Sequence, residues 1–189
     1  QQTHTTNVKR VYARERGQSF PETDGMITDV PGICLVTSYA DCVPLYFVDP
    51  VKKVIGLSHS GWRGTVGKIG KVTVEKMEEE FGCDPADILG AVGPSICQDC
   101  YEVSEDVIKK FRENYDENLW PEIFYQKENG KYQLNLWKAN ESVFLESGIL
   151  PEHIAVTNVC THCNPDILFS HRTTGNERGT LSAFLALKK

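Results

Sequence analysis

The feature that most constrains the fold is a set of three short apolar runs in the first third of the chain. Ile33–Thr37, Val43–Val48 and Val54–Leu57 are rich in branched side chains, and each is too short for a typical helix. A turn at Asp49-Pro50 separates the last two runs. We therefore predict a buried sheet in which these segments follow one another as a meander.

The rest of the chain mixes helical and strand patterns. Apolar residues at helical spacing predict a helix from Val66 to Phe81, with Gly64 at its N-terminus and Gly82 just after its end. The remaining predicted elements are strands at Ile88–Val92, Tyr132–Leu136, Ile154–Val159 and Leu181–Leu187, a helix from Ser104 to Phe111 and a helix ending at Gly148. Strands and helices do not alternate strictly along the chain, as they would in a βαβ fold, so we predict an α+β fold with layered mixed or antiparallel sheets flanked by helices. We expect a single domain over residues 1–189.

Composition excludes some partners and indicates a compartment. The net charge is −6 and the sequence contains no basic block, which argues against nucleic-acid binding. It also contains no run of about 18 apolar residues, so we expect no membrane span. The seven cysteines are odd in number and widely scattered, which favours reduced thiols and a cytoplasmic protein.

The segment from Ser58 to Thr65 is the first candidate for a functional site. His59 ends an apolar strand, and two glycines bracket Trp62 and Arg63 just before a predicted helix. Backbone amides at Gly64 and the forked guanidinium of Arg63 would suit an anion. The alternative is an ordinary strand-to-helix turn with a buried tryptophan and a solvated arginine.

The second candidate is the Asp41-Cys42 pair, which interrupts an apolar region between two predicted strands. A thiolate at Cys42 near His59 would be a zinc ligand or a nucleophile, whereas a buried thiol is more often only a small apolar group. Taken alone, His4 is an ordinary polar residue near the N-terminus. The three residues lie 38 and 17 positions apart, so their spacing does not by itself define a metal site.

Two C-x-x-C pairs occur at Cys97 and Cys100 and at Cys160 and Cys163. Each could be a redox pair or half of a zinc site. Their separation does not match a structural zinc motif, so we expect no second metal site.

Two further arginines are candidates for binding phosphate. Arg172 follows an apolar strand in Phe169-Ser170-His171-Arg172 and could face the same pocket as Arg63. Arg178 lies in a loop, where it is either a solvated charge or a substrate ligand.

Seven motifs in order resemble the YfiH-like family, whose members are also described as multicopper polyphenol oxidoreductases or laccase-domain proteins. The motifs are Gln2-x-His4, Thr23-Asp24-Gly25, Ala40-Asp41-Cys42-x-Pro44, His59-x-Gly61-Trp62-Arg63-Gly64-Thr65, Gly93-Pro94-Ser95-Ile96, Tyr101-Glu102-Val103 and Phe169-Ser170-His171-Arg172. Together they cover essentially the whole chain, and their order makes the resemblance specific.

The resemblance implies a single α+β domain and a zinc held by His4, Cys42 and His59. It also implies a purine nucleoside phosphorylase that acts on adenosine, inosine and methylthioadenosine with phosphate, and that deaminates adenosine as well. Family members carry an N-terminal segment of several dozen residues before the Gln-x-His motif, so we expect that this sequence lacks a natural N-terminal segment. Thr173 stands where the family usually has a second arginine after Ser-His-Arg.

The resemblance and the chemistry of the residues together imply a role for each candidate. Cys42 and His59 belong to the catalytic metal site, and Asp41 is placed to shuttle a proton to or from a water. Arg63 serves both catalysis and phosphate binding. The other expected phosphate or substrate contacts are Gly64, Arg172 and Arg178.

Two alternatives remain open at this stage. A copper-dependent polyphenol oxidase would use the same His₂Cys set, but blue-copper sites favour an axial methionine, and the chain has only Met26, Met77 and five histidines. A metal-free hydrolase acting through Cys42 and His59, or a non-catalytic binding protein, is the third reading.

Overall fold

In the computed structural model, which describes residues 2–188, the strands form three sheets. The strands are β1 Val8–Arg10, β2 Gly25–Thr28, β3 Cys34–Tyr39, β4 Val43–Asp49, β5 Val54–Ser60, β6 Leu89–Val92, β7 Glu102–Val103, β8 Phe124–Gln126, β9 Tyr132–Leu134, β10 Ile154–Val156 and β11 Leu181–Ala186. The helices are α1 Trp62–Val66, α2 Ile69–Phe81, α3 Glu105–Asn114, α4 Trp120–Ile123, α5 Leu136–Glu146 and α6 His171–Thr174.

The largest sheet has six strands in the order β1-β2-β5-β4-β6-β10. Its four central strands pair antiparallel, whereas β1 and β10 add in parallel at the two edges. Two smaller antiparallel sheets pair β3 with β11 and β9 with β7 and β8. This confirms the predicted α+β fold with layered mixed sheets and flanking helices.

The six-stranded sheet is covered on both faces, which explains why every residue of β5 is buried. On one face Phe47 and Met77 belong to a large apolar core shared with the helices. On the other face Leu57 of β5 packs in a smaller core with Leu35 of β3 and Ala183 of β11. The chain is therefore layered as helices, large sheet and small sheet.

The predicted helix from Val66 to Phe81 is wrong in its first turn. The structure has two helices, because Lys68 adopts a left-handed backbone conformation (φ 56°) between α1 and α2. Gly82 ends α2 in the left-handed conformation, as the sequence predicted. The break separates α1, which directly follows β5, from α2.

The predicted meander is also wrong in part. Cys34–Tyr39 is a strand, but it leaves the large sheet and pairs with β11, so only β4 and β5 remain as antiparallel neighbours. Sequence periodicity cannot distinguish these arrangements, since both bury the same alternate residues of the strand. Within residues 2–188, no helix combines the length and the apolar character needed to cross a bilayer.

Candidate functional site

Three potential metal ligands meet at one end of the large sheet. His4 comes from the N-terminal segment, Cys42 from the turn between β3 and β4, and His59 from the end of β5. Their ligand atoms all lie within 4.8 Å of one another, and Cys42 Sγ is 3.8 Å from His4 Nε2. The structure thus brings together residues that are far apart in the sequence.

Asp24 organises this cluster from beneath. Its side chain is fully buried, and Oδ1 accepts hydrogen bonds from His59 Nδ1 at 2.9 Å and from the His4 backbone amide at 3.0 Å. Oδ2 accepts from the amides of Thr3 and Thr5 and from the Thr5 hydroxyl at 2.8–3.1 Å. Because Asp24 occupies Nδ1 of His59, Nε2 is the ring nitrogen left for a metal.

The N-terminal segment reaches the site through two anchors. The Gln2 side chain donates to the Ser38 carbonyl and accepts from the Ser38 amide on β3, as a neighbouring strand would. His4 itself has a left-handed backbone (φ 61°), which costs energy in a non-glycine residue. The amides that donate to Asp24 hold this conformation, and so aim the His4 ring at Cys42.

Gly61 explains one glycine of the motif. A Cβ atom at this position would lie 2.7 Å from His4 Cδ2 and 3.0 Å from Cys42 Sγ. Both distances are too short for carbon in normal contact. Glycine is therefore required so that the two ligands can approach the chain that leaves β5.

The electrostatics of the cluster favour a thiolate. Burial raises the pKa of Cys42, but hydrogen bonds from His4 and His59 outweigh it and lower the pKa to about 7. For His59, burial lowers the pKa, but Asp24 and Cys42 raise it to about 9. Burial likewise raises the pKa of Asp24, yet its hydrogen bonds with His59, Thr5 and Thr3 bring the pKa far below the ordinary range. Asp24 is therefore ionised at neutral pH.

This donor set fits a zinc ion. Two imidazole nitrogens and one thiolate are preferred zinc ligands, and zinc bonds of roughly 2.0–2.3 Å place ligand atoms about 3.3–3.8 Å apart. The carboxylate–histidine contact made by Asp24 is the usual support for a metal-binding histidine. Three protein ligands would leave a fourth position for water or substrate.

A cavity of about 300 Å³ opens beside the ligand cluster. Its lining includes two of the three ligands together with apolar and polar side chains, whereas His59 lies buried behind it; the lining residues are His4, Asp41, Cys42, Trp62, Arg63, Ile96, Tyr101, Leu136 and His171. The volume is at the lower end of the range for small-molecule sites.

Arg63 is the cation of this cavity. Its side chain is exposed, and its guanidinium lies 4.2 Å from the Trp62 ring, a cation–π contact that restricts its orientation. It makes no ion pair with any residue in the described part of the chain, so its donors are available to an anion.

Two other polar groups line the cavity. Burial raises the pKa of Tyr101, and the nearby charge of Cys42 raises it further, so its hydroxyl stays protonated and can donate a hydrogen bond. His171 Nδ1 donates to the Gly175 carbonyl at 3.2 Å, which leaves Nε2 for a ligand. Sequence analysis did not select either residue, although both belong to motifs that it quoted.

Asp41 braces the cavity wall. Its backbone is left-handed (φ 82°), Oδ1 accepts from the Thr161 hydroxyl at 2.6 Å, and Oδ2 accepts from the Arg172 amide at 2.7 Å. Each oxygen therefore accepts one hydrogen bond and retains a lone pair that can accept a further proton. The Arg172 guanidinium donates to the Glu102 carbonyl and lies over Tyr101, outside the cavity lining.

The structure does not bring Gly64 or Arg178 into the cavity lining. Gly64 is buried inside α1, where an added Cβ would be in ordinary contact with the His59 carbonyl at 3.4 Å, so the space around it does not by itself require a glycine. Arg178 lies in the loop before β11, with its Nε buried. Asp24, by contrast, is not among the site residues predicted from the sequence. The feature that could have indicated it is its position directly before Gly25, the first residue of β2, in the motif Thr23-Asp24-Gly25.

A larger cleft of about 450 Å³ lies beside β3 and is lined by residues 15–20 and 33–38, among others. Neither of the two groups of potential metal ligands found within residues 2–188 lies there. The potential metal ligands therefore favour the smaller cavity as the functional site.

Comparison with known proteins agrees with this geometry. The family described as multi-copper polyphenol oxidoreductase laccase matches residues 1–188. The chain belongs to this family. It is 36% identical to purine nucleoside phosphorylase YlmD of Bacillus subtilis, across the whole chain and 69% of that protein. It is 35% identical to adenosine deaminase RL5 from an unknown prokaryotic organism, over 94% of the chain and 70% of that protein.

A solved structure supports the same assignment. The crystal structure of the hypothetical protein YfiH of Bacillus licheniformis superposes with a TM-score of 0.95 at 34% identity, over 99% of this chain and 72% of that one. The resemblance inferred from the seven motifs is thereby confirmed.

Proposed function

We propose that this chain is a zinc-dependent purine nucleoside phosphorylase that also deaminates adenosine. The observation that carries the proposal is the convergence of His4, Cys42 and His59 beside a cavity that also presents Arg63. Relatives named as a phosphorylase and as an adenosine deaminase support the two activities.

The apolar part of the cavity suits a purine. Trp62, Ile96 and Leu136 offer flat or branched surfaces against which an aromatic base can pack. Tyr101 and His171 offer hydrogen-bond groups at the edge of a bound ring or sugar.

In phosphorolysis a phosphate oxygen bonds to the anomeric carbon while the bond from that carbon to the purine nitrogen breaks, and the purine takes up the bond electrons and a proton. Arg63 would hold the phosphate by paired hydrogen bonds and fix its approach. The protonated Tyr101 hydroxyl would donate to an oxygen or nitrogen that becomes more negative.

In deamination a water replaces the amino group of the purine, and ammonia leaves. A zinc held by His4, Cys42 and His59 would act as a Lewis acid and make a water more acidic. Asp41 is the one carboxylate among the described residues that line the cavity, and it is our candidate for proton transfer. Phosphate is not used in this reaction.

Copper-dependent polyphenol oxidation remains the competing function, because the family description carries that name and a His₂Cys set also suits copper. The positions of the methionines favour zinc. Met77 is buried in the main core, and Met26 lines the other cleft.

Metal analysis combined with two activity assays tests the proposal. Purified protein should contain zinc, release base from inosine only with phosphate, and release ammonia from adenosine without it. Cys42→Ser should abolish both reactions, while Cys34→Ser, which changes an exposed thiol on β3, should leave both intact. Copper with oxidase activity, or zinc-loaded protein without either nucleoside reaction, would contradict it.

A further inference from the structure

The two C-x-x-C pairs meet at a second site, away from His4, Cys42 and His59. Cys97 directly precedes the short turn Gln98–Cys100, and Cys100 is its last residue. Cys160 and Cys163 lie in the loop after β10. All four sulfurs lie within 4.8 Å of one another, and the Sγ atoms of Cys100 and Cys163 are 3.4 Å apart. The spacing of the two pairs in the sequence did not predict that they would meet.

Backbone contacts show that this arrangement is built rather than incidental. The amides of Cys97 and Cys163 both point at Cys160 Sγ, at 3.3 and 3.4 Å. Two N–H donors on one sulfur stabilise negative charge there, as in metal-bound thiolates. A parallel β-bridge between Ser95 and Cys160 fixes how the two loops align.

We propose that Cys97, Cys100, Cys160 and Cys163 bind one structural zinc ion as a closed four-thiolate site. Four sulfurs around a tetrahedral zinc at bonds of about 2.3 Å would lie about 3.8 Å apart, inside the observed spread. Thiolates select zinc over hard cations, and four protein ligands leave no open position for catalysis. The inference does not depend on the proposed nucleoside activity.

The site would stabilise one wall of the cavity. Cys97 directly follows Ile96 and Cys100 directly precedes Tyr101, both of which line the cavity. In the second loop, Thr161 holds Asp41 through a 2.6 Å hydrogen bond. Neither loop has a core of its own, so a metal crosslink between them would fix the cavity wall.

The proposal is tested by measuring the zinc content of Cys42→Ser protein, in which the site formed by His4, Cys42 and His59 has lost a ligand. Cys42→Ser protein should retain one zinc per chain, and adding Cys163→Ser should remove it. Adding Cys34→Ser instead should not, since Cys34 lies on the small sheet. Cobalt exchanged into the Cys42→Ser protein should show strong thiolate-to-cobalt charge-transfer absorption.

A second measurement on the unmodified chain does not depend on how variants fold. Titration with a mercurial thiol reagent should release zinc in step with modification of these four cysteines, as mapped by peptide mass spectrometry. Three results would overturn the inference: no zinc in Cys42→Ser protein, iron with sulfide in its place, or native pairing of these cysteines in disulfides.

Discussion

Replacing Asp24 by asparagine should weaken metal binding without removing a metal ligand. The carboxylate accepts five hydrogen bonds, two at Oδ1 and three at Oδ2, and no water-exposed surface remains on it. An asparagine amide nitrogen cannot accept, so at least two of the five donors would face a donor in either orientation of the amide. If the nitrogen replaces Oδ1, His59 loses its partner; if it replaces Oδ2, Thr3 and Thr5 lose theirs.

The magnitude follows from the number and kind of these contacts. A hydrogen bond to a charged group contributes about 1.5–3 kcal/mol, and loss of a carboxylate behind a metal-binding histidine typically reduces metal affinity about 10–100-fold. We expect the Asp24→Asn dissociation constant for zinc to rise by that factor. The free energy of unfolding of the metal-free protein should also fall, because two or more buried donors become unpaired.

Competition against a chromophoric chelator at fixed pH measures the affinity, and thermal unfolding with circular dichroism measures the fold. Asp29→Asn is the matched control, since Asp29 is a half-exposed carboxylate whose nearest cation is Arg10 at 3.6 Å. An unchanged zinc affinity in correctly folded Asp24→Asn protein would refute the role that we assign to Asp24.

Three further predictions test neighbouring parts of the site. Gly61→Ala would put a carbon 2.7 Å from the His4 ring, so we expect it to cost about 1–3 kcal/mol in metal binding or unfolding, measured by the same titrations. Arg63→Ala should raise the phosphate KM by roughly ten- to more than a hundredfold, at about 1.5–3 kcal/mol for a charged contact, and should affect adenosine deamination less; equal damage to both reactions would show that Arg63 does not act on phosphate. In chelator-treated protein, the lowered pKa of about 7 makes Cys42 a thiolate above that pH, so its alkylation should accelerate through pH 7 and then level off. Burial and the nearby Asp49 raise the pKa of Cys83 to about 12, so it should stay unmodified, and equal labelling of both cysteines would contradict the assignment.

The sequence predicted individual strands better than their partners. Val43–Val48 and Val54–Leu57 are parts of β4 and β5, because alternating or continuous apolar character marks a buried strand. The sequence pattern could not show that β3 pairs with β11, which lies about 140 residues later in the chain. That pairing depends on which sheet face is already covered, and this is a property of the whole fold.

The candidate site divides in the same way. Local chemistry selects Cys42, His59 and Arg63; Cys42 and Arg63 line one cavity, and His59 lies with Cys42 in the ligand cluster beside it. His4 was assigned from the family motif alone, because nothing in its neighbours distinguishes it. The spacing of the two cysteine pairs predicts no common site, but the fold brings their loops together at the parallel bridge between Ser95 and Cys160.

The backbone of the site shows why so small a region carries so many hydrogen bonds. His4 and Asp41 are both held in left-handed conformations, each of which costs about 1–3 kcal/mol in a non-glycine residue. His4 is held by the amides that donate to Asp24, and Asp41 is held by Thr161 and the Arg172 amide. Because Asp24 also binds His59, one buried carboxylate couples the position of the N-terminal segment to the orientation of a histidine on β5. A metal that bound His4, Cys42 and His59 would stabilise both strained segments at once, so metal binding and the order of the N-terminal segment should rise and fall together.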